Sequence, residues 1–161
     1  LVPADFSEIP YTTQINTKKK SMETFNNELI KLVERANVIV KTKDFTNVLN
    51  TVQHMLEDKN MLVFLEAIKT VELLAVLIGS KLQKQLKAFI NVIAGKYGET
   101  KTAVIAAVDK TLGAIVKYAL TPTVFSDVCL NQIAVTHKNP RVKQLIIEHT
   151  MGQFVKTLDA D

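Results

Sequence analysis

Residues 60–79 read NMLVFLEAIKTVELLAVLIG, and this stretch decides the fold class. Its apolar residues return at spacings of three and four, as in Ala67, Ile68, Val71, Leu74 and Ile78, which is the period of a helix with a buried face. Asn60 is a residue type that caps helix N-termini, and Gly79 is the type that ends helices. We therefore expect one helix over 61–78, buried in the protein core.

The same pattern repeats along the chain at an interval of about forty residues. Short polar breaks fall at 18–21, 57–60, 98–101 and 137–140, and a second set falls at 42–44, 79–81 and 120–122. Forty residues with two helices per period is typical of HEAT and armadillo repeats. The predicted helices are 11–20 and 22–39, 45–57 and 61–78, 82–96 and 102–119, and 122–136 and 140–158.

These intervals predict an all-α chain, a HEAT-repeat α-solenoid of about four antiparallel helix pairs. Residues 1–20 are expected to be a partly extended segment that packs on the first repeat, and residues 21–161 the repeat domain. The predicted caps are Asp44, Asn60, Thr121 before Pro122, and Asn139 before Pro140. The core prediction consists of six residues: Leu74, Ile78, Ile90, Val108, Leu112 and Ile115.

Composition agrees with one helical domain. The chain has 161 residues, 47% of them hydrophobic, with only 5 Gly and 4 Pro. The longest apolar run, 73–78, is far shorter than the roughly 20 residues that cross a bilayer, so no membrane partner is expected. No signal sequence is visible at the start, and the lone Cys129 fits a reducing compartment.

The sequence offers little support for catalysis. Its histidines, His54, His137 and His149, stand in no recognisable motif, and Gly95–Gly98 lacks the spacing of a phosphate-binding loop. The presence of one cysteine and no histidine pair four residues apart argues against a metal site. We expect a binding module that is not an enzyme and has no cofactor.

Three stretches resemble a known family. They are Asp58-Lys59-Asn60-Met61, then 96–108 with the loop Lys96-Tyr97-Gly98-Glu99-Thr100-Lys101, then 138–144, which reads KNPRVKQ. In this order they look like a TOG domain, the HEAT-repeat tubulin-binding domain of the microtubule polymerase family. The resemblance spans about 140 residues.

The resemblance implies a function and a surface. In that family the turns within helix pairs lie against the tubulin heterodimer, so tubulin or a microtubule end is the expected partner, in the cytoplasm on the microtubule and spindle cytoskeleton. The implied contacts are Lys20, Met22, Lys59, Asn60, Lys101, Lys138, Asn139, Arg141 and Lys143. Met22 would take the place of an apolar anchor. The cations suit an acidic protein surface.

Two other functions stay open from the residues alone. A generic HEAT scaffold for a non-tubulin partner would gather its contacts on a helix-lined face, whereas tubulin binding would use the turns. A nucleic-acid binder comes third, because repeated aromatic residues do not alternate with the basic ones and the net charge is only +4.

The final helix carries a wide apolar stripe formed by Val142, Ile146, Ile147, Met151, Phe154, Val155 and Leu158. Repeat arrays normally end in a polar cap, so this face is expected to meet a further repeat, the N-terminal segment or a second copy of the chain.

Overall fold

The computed structural model describes residues 6–35 and 45–158, except the side chains of Phe45, Thr157 and Leu158. All regular structure in these two ranges is helical, so the predicted all-α class is confirmed there. The α-helices are α1 (Ile15–Glu34), α2 (Phe45–Leu56), α3 (Met61–Ile78), α4 (Gln83–Gly95), α5 (Thr102–Tyr118), α6 (Pro122–Ser126) and α7 (Pro140–Leu158). No helix in the described ranges is both long and apolar enough to pass through a membrane.

Shorter helical segments complete these elements. Three 3-10 turns cover Phe6–Tyr11, Gly79–Leu82 and Lys96–Gly98, and a π-helix over Asp127–Ala134 continues α6. The predicted helices 82–96 and 122–136 are therefore present, but neither is purely α-helical. The i→i+5 bonding of a π-helix leaves no signature in the apolar pattern on which the prediction was based.

Predicted capping residues begin three of the helices. The side chain of Asn60 accepts a hydrogen bond from the Leu62 N–H at 3.0 Å, and that of Asn139 accepts one from the Arg141 N–H at 2.9 Å. Thr121 does the same for α6. Each cap satisfies a backbone donor that the first helical turn leaves unpaired. Asp44, the fourth predicted cap, lies outside the described residues.

The expected break at residues 18–21 is wrong. Helix α1 runs through it from Ile15 to Glu34, so the predicted division between residues 20 and 21 falls inside a helix. This stretch contains neither Gly nor Pro, and lysine is a good helix former. A polar run alone does not stop a helix.

The most extensive contacts join helices that are next but one along the chain. Helix α1 packs along α3, and α3 packs along α5, while α2 and α4 lie on one side of this row. Side chains about forty positions apart meet between these helices, as in Lys18 with Asp58 and Asn26 with Glu66. The 3-10 turn at Phe6–Tyr11 packs on α2 and α1, with the Phe6 and Phe25 ring centroids 4.5 Å apart.

One continuous apolar core joins these elements. The six predicted core residues all belong to it, the most exposed being Ile78 at 9%, so that prediction is confirmed.

Asn26 forms a buried polar link between α1 and α3. Its side-chain amide donates to the backbone carbonyl and to the carboxylate of Glu66, both at 3.0 Å, and its Oδ1 accepts from the Thr70 hydroxyl at 2.6 Å. Asn26 and Thr70 are both fully buried. These bonds fix the axial position of α1 against α3, because a slip of one residue would leave buried polar atoms unpaired.

We expect Asn26→Ala to lower the free energy of unfolding by roughly 1–3 kcal/mol, since it leaves buried partners unsatisfied. Urea unfolding followed by circular dichroism would measure this loss. The exposed Asn27→Ala on the same helix is the matched control and should change stability by less than about 0.5 kcal/mol. Equal effects of the two substitutions would contradict the role of the Asn26 link.

Helix α7 is held differently. It packs chiefly on the π-helix and on the turn Lys96–Gly98, and touches α5 in fewer places. A cleft of about 1030 Å³ separates α5 from α7 over part of their length. At this cleft Asp109 accepts a hydrogen bond from the Tyr97 hydroxyl at 2.5 Å and lies 3.2 Å from Nδ1 of His149. A polar cluster therefore joins α5 to α7.

Burial of the His149 side chain, only 7% exposed, lowers its pKa from the ordinary value of 6.5. The charge and hydrogen bond of Asp109 oppose this shift, while Lys156 adds to it. A depressed pKa means that the folded state takes up the proton less readily than the unfolded state does. The contribution of His149 to stability is therefore complete above about pH 6.5 and is lost as the pH falls through its folded-state pKa.

We expect the His149→Gln variant to lose less thermal stability than the parent between about pH 7.5 and about pH 5.5, because Gln does not titrate. Melting temperatures of both proteins at the two pH values would test this. A loss in the variant as large as in the parent would show that other groups set the acid sensitivity.

The predicted apolar stripe of α7 is partly covered. Val142 and Ile146 are buried in the core, whereas Ile147, Met151 and Val155 are 43–54% exposed and stand four residues apart on one face. The exposed apolar face is thus confirmed for these three, and the Leu158 side chain lies outside the described residues. The partner that covers this face stays a prediction.

Candidate functional site

The turns before α3, α5 and α7 lie side by side and form what we call the turn edge, residues 57–60, 96–101 and 137–141. Three contacts place α1 and these turns next to one another. Lys18 of α1 forms an ion pair with Asp58 at 2.7 Å, and the Lys96 ammonium lies 5.2 Å from the centre of the Phe64 ring at the start of α3. Gly98 touches Asn139 of the next turn.

Gly98 allows the last two turns to approach closely. A Cβ at this position would lie 2.9 Å from the Asn139 amide nitrogen and 3.6 Å from a methyl carbon of Val142. A larger residue would have to displace the Asn139 side chain, whose oxygen caps α7. The absence of a side chain at Gly98 therefore leaves room for this cap.

Asp58 anchors the first of these turns. It accepts hydrogen bonds from the Lys18 ammonium and from the Asn60 N–H, the latter at 2.8 Å. Partial burial alone would raise the pKa of Asp58, but these two hydrogen bonds and the Lys18 charge lower it below the usual value. A carboxylate that stays ionised in this way fixes the turn that carries Lys59.

The six basic residues implied by the family resemblance have no acidic partner. Within residues 6–35 and 45–158, no carboxylate lies within 4.0 Å of any of them, whereas the neighbouring Lys18 and Lys96 are both paired. Five are exposed and one, Lys143, is half-buried and donates to the Val135 carbonyl at 3.2 Å. The six are Lys20, Lys59, Lys101, Lys138, Arg141 and Lys143.

Most of these cations also stand where the helix dipole disfavours them. Lys59, Lys101 and Arg141 lie at or next to the N-termini of α3, α5 and α7, whose first turns contain no acidic residue. The positive end of a helix dipole stabilises anions and destabilises cations. The helix dipole therefore gives no reason for this arrangement.

Met22 cannot be an exposed anchor, which corrects the expectation from the resemblance. Its side chain is fully buried, in the core beside Phe25 and Asn26. The error follows from the absent break at 18–21, because Met22 lies in the middle of a continuous helix. Lys20 is likewise a helix residue, although an exposed one.

Two exposed apolar residues lie next to the turn edge, Leu62 and Ile15, which the sequence analysis missed. Leu62 is 53% exposed in the first turn of α3, three residues after Lys59, and Ile15 is 45% exposed at the start of α1. Ile15 lies about one helical turn before Lys18, and Lys18 contacts Asp58 of the turn edge. Ile15 is therefore close to the turn edge. The sequence signal for such a residue is a large apolar side chain within two positions of the helix N-cap and outside the buried face of the helix.

The remaining candidate residues have structural partners. Asn60 and Asn139 cap helices, and His137 accepts a hydrogen bond from the Asn139 N–H at 3.1 Å. Burial raises the pKa of the Cys129 thiol to about 12, which leaves it protonated and a poor nucleophile. No group of three or more His, Cys, Asp or Glu side chains within the described residues is placed to hold a metal ion.

Comparison with known proteins gives one finding. The chain is similar to part of a centrosomal protein. It is 26% identical over 120 residues to Centrosomal protein 224 of Dictyostelium discoideum, which covers 73% of this chain and 6% of that protein. The chain thus spans a small part of the length of this relative. No family model and no solved structure matches the sequence.

Proposed function

We propose that this chain is a HEAT-type, TOG-like domain that binds tubulin through its turn edge. The observation that carries the proposal is the row of four exposed basic residues at the turn edge, Lys59, Lys101, Lys138 and Arg141, which have no acidic partner in the described part of the chain. Such a row fits an acidic protein surface and would contribute to orientation and association rate more than to raw affinity.

The repeat architecture is supported by contacts between positions forty apart. Lys18 meets Asp58, Asn26 meets Glu66, and Asp109 meets His149, each pair separated by forty residues. Contacts at one constant separation are expected when equivalent helices of successive repeats stack. On this interpretation α2 with α3, α4 with α5, and α6 plus the π-helix with α7 are the repeats.

Leu62 would replace Met22 as an apolar contact in the proposed interface. It stands beside Lys59 on the turn edge and is more than half exposed. An exposed apolar side chain near a cation is compatible with the usual division of an interface into a packed centre and a polar rim. The centrosomal name of the relative agrees with a proposed location on the microtubule cytoskeleton.

A scaffold for a different protein is the alternative function. The cleft between α5 and α7, lined by helices and close to the exposed stripe of α7, is the observation that favours it. A partner bound there would not depend on the turn edge. Substitutions at the turn edge should therefore weaken partner binding if the first function is correct and leave it unchanged if the second is.

Co-elution with purified tubulin during size-exclusion chromatography would test the proposed function. We expect a complex at about 50 mM salt that weakens at about 200 mM, because exposed charges are screened as ionic strength rises. Elution of the two proteins as separate peaks at both salt concentrations would contradict tubulin binding.

A further inference from the structure

Residues 73–98 carry a concentrated positive charge, most of which lies outside the turn edge. They contain four of the chain's 20 basic residues and none of its 16 acidic ones, and so account for the whole formal net charge of +4. Lys81, Lys84 and Lys87 follow one another at steps of three and are all exposed. In the part of the chain that the structure describes, none of the three pairs with a carboxylate.

Two of these lysines border a groove between α4 and the π-helix, which we call the α4 groove. Its volume is about 570 Å³. Lys84, Lys87 and Asn91 line one side, and Asn131, Gln132 and Thr136 belong to the other. Both lysines lie roughly 12–17 Å along α4 from Gly95, where the turn edge begins, at the helical rise of 1.5 Å per residue. The two lysines therefore lie away from the turn edge, although Thr136 on the other wall directly precedes it.

The opposite wall offers hydrogen-bond acceptors. The amide nitrogens of Asn131 and Gln132 both donate to the carboxylate of Asp127, at 2.8 and 3.5 Å. These two hydrogen bonds occupy the one acidic side chain of the π-helix. The side-chain oxygens of Asn131 and Gln132 have no hydrogen-bond donor among the described residues. An amide oxygen needs an N–H or O–H donor from its ligand.

We propose that the α4 groove binds an extended acidic segment of a partner protein. Carboxylates of such a segment would pair with Lys84 and Lys87, and its backbone N–H groups would donate to the oxygens of Asn131 and Gln132. Polypeptide supplies both negative charge and N–H donors along one chain, whereas a phosphate backbone supplies acceptors only.

Two other anionic partners fit the α4 groove less well. No aromatic ring lines it to stack on nucleic-acid bases. A membrane surface would need exposed apolar side chains beside the lysines, and α4 contributes none to the exposed large hydrophobic residues of the described chain. Tighter binding of either partner than of an acidic peptide would overturn the proposal.

Fluorescence anisotropy with a labelled peptide of repeating Glu-Thr would test the proposal. We expect the Lys84→Gln, Lys87→Gln double variant to bind roughly five- to tenfold more weakly than the parent, as two exposed ion pairs are lost. The Lys84→Arg, Lys87→Arg variant keeps both charges and should bind within about twofold of the parent. Thermal unfolding of each variant would show that the fold is kept.

The control is Lys59→Gln, Lys101→Gln, which removes the same charge from the turn edge and should leave peptide binding within about twofold. An equal loss in this control and in the α4 variant would mean nonspecific attraction and would overturn the proposal. Tighter binding of an oligothymidylate or of phosphatidylserine vesicles than of the peptide, dependent on Lys84 and Lys87, would also overturn it. None of these outcomes depends on tubulin binding.

Discussion

Changing Lys138, Arg141 and Lys143 together to Glu is expected to abolish co-elution with tubulin while the protein stays folded. Each substitution replaces a cation of the turn edge by an anion, so attraction to an acidic partner becomes repulsion. Like charges opposed in an interface cost several kcal/mol, and we expect affinity to fall by at least about a hundredfold.

The folded state should tolerate these changes. Lys138 and Arg141 are exposed and without acidic partners in the described chain, and Lys143 loses one hydrogen bond, to the Val135 carbonyl. Acidic residues at the start of α7 gain from the helix dipole, which offsets this loss. Thermal unfolding measured by circular dichroism should therefore be close to that of the parent.

A matched control changes three exposed lysines away from the turn edge to Glu: Lys69, Lys117 and Lys156. It alters the net charge equally and should retain most of the binding. The tubulin hypothesis would fail if the turn-edge variant unfolded at the parent's temperature and still co-eluted with tubulin as well as the parent does.

The second large effect is expected in the core. Leu112→Ala should lower the free energy of unfolding by roughly 2–5 kcal/mol, because it removes fully buried apolar volume and leaves a cavity. Leu112 is completely inaccessible in the middle of α5, where the apolar core is continuous from α3 to the π-helix. Urea denaturation of parent and variant would measure the difference.

Leu62→Ala makes the same chemical change at an exposed position and serves as the control. Its effect on stability should stay within about 0.5 kcal/mol. A loss of less than about half a kilocalorie for Leu112→Ala would show that the side chain is not packed as the structure has it.

Helix positions were predictable where local chemistry and apolar period agreed. Helix α3 has the predicted bounds, with Asn60 and Gly79 at its ends, and α7 begins as predicted after Asn139. Helix α5 differs from prediction by one residue, and its bounds follow from the apolar period alone. The buried face of α1 was also present in the sequence. Met22, Phe25 and Leu29 recur at steps of three and four through the polar run, but the assumed break at 18–21 concealed this continuity.

The basic residues of the turn edge could be predicted from the sequence, but which lysines pair with acidic residues could not. Lys18, Lys19 and Lys20 are equivalent as sequence, yet the structure pairs Lys18 with Asp58 and Lys19 with Glu23 and leaves Lys20 exposed. Which lysine is paired depends on the direction in which each side chain points around α1. Because these residues were interpreted as a turn, the sequence analysis assigned them no such directions. The α4 groove also requires the structure, since its two walls are about forty residues apart in the chain.

The sparse contact between α5 and α7 also affects which part of the molecule unfolds locally. Segments of a protein can open locally without the whole chain unfolding, and α7 packs less extensively on the elements around it than α3 does. Fluctuations should therefore be largest at this end. A partner bound to Lys138 and Arg141 would hold the first turn of α7 in place, so that binding at the turn edge would slow local opening well beyond the contact surface.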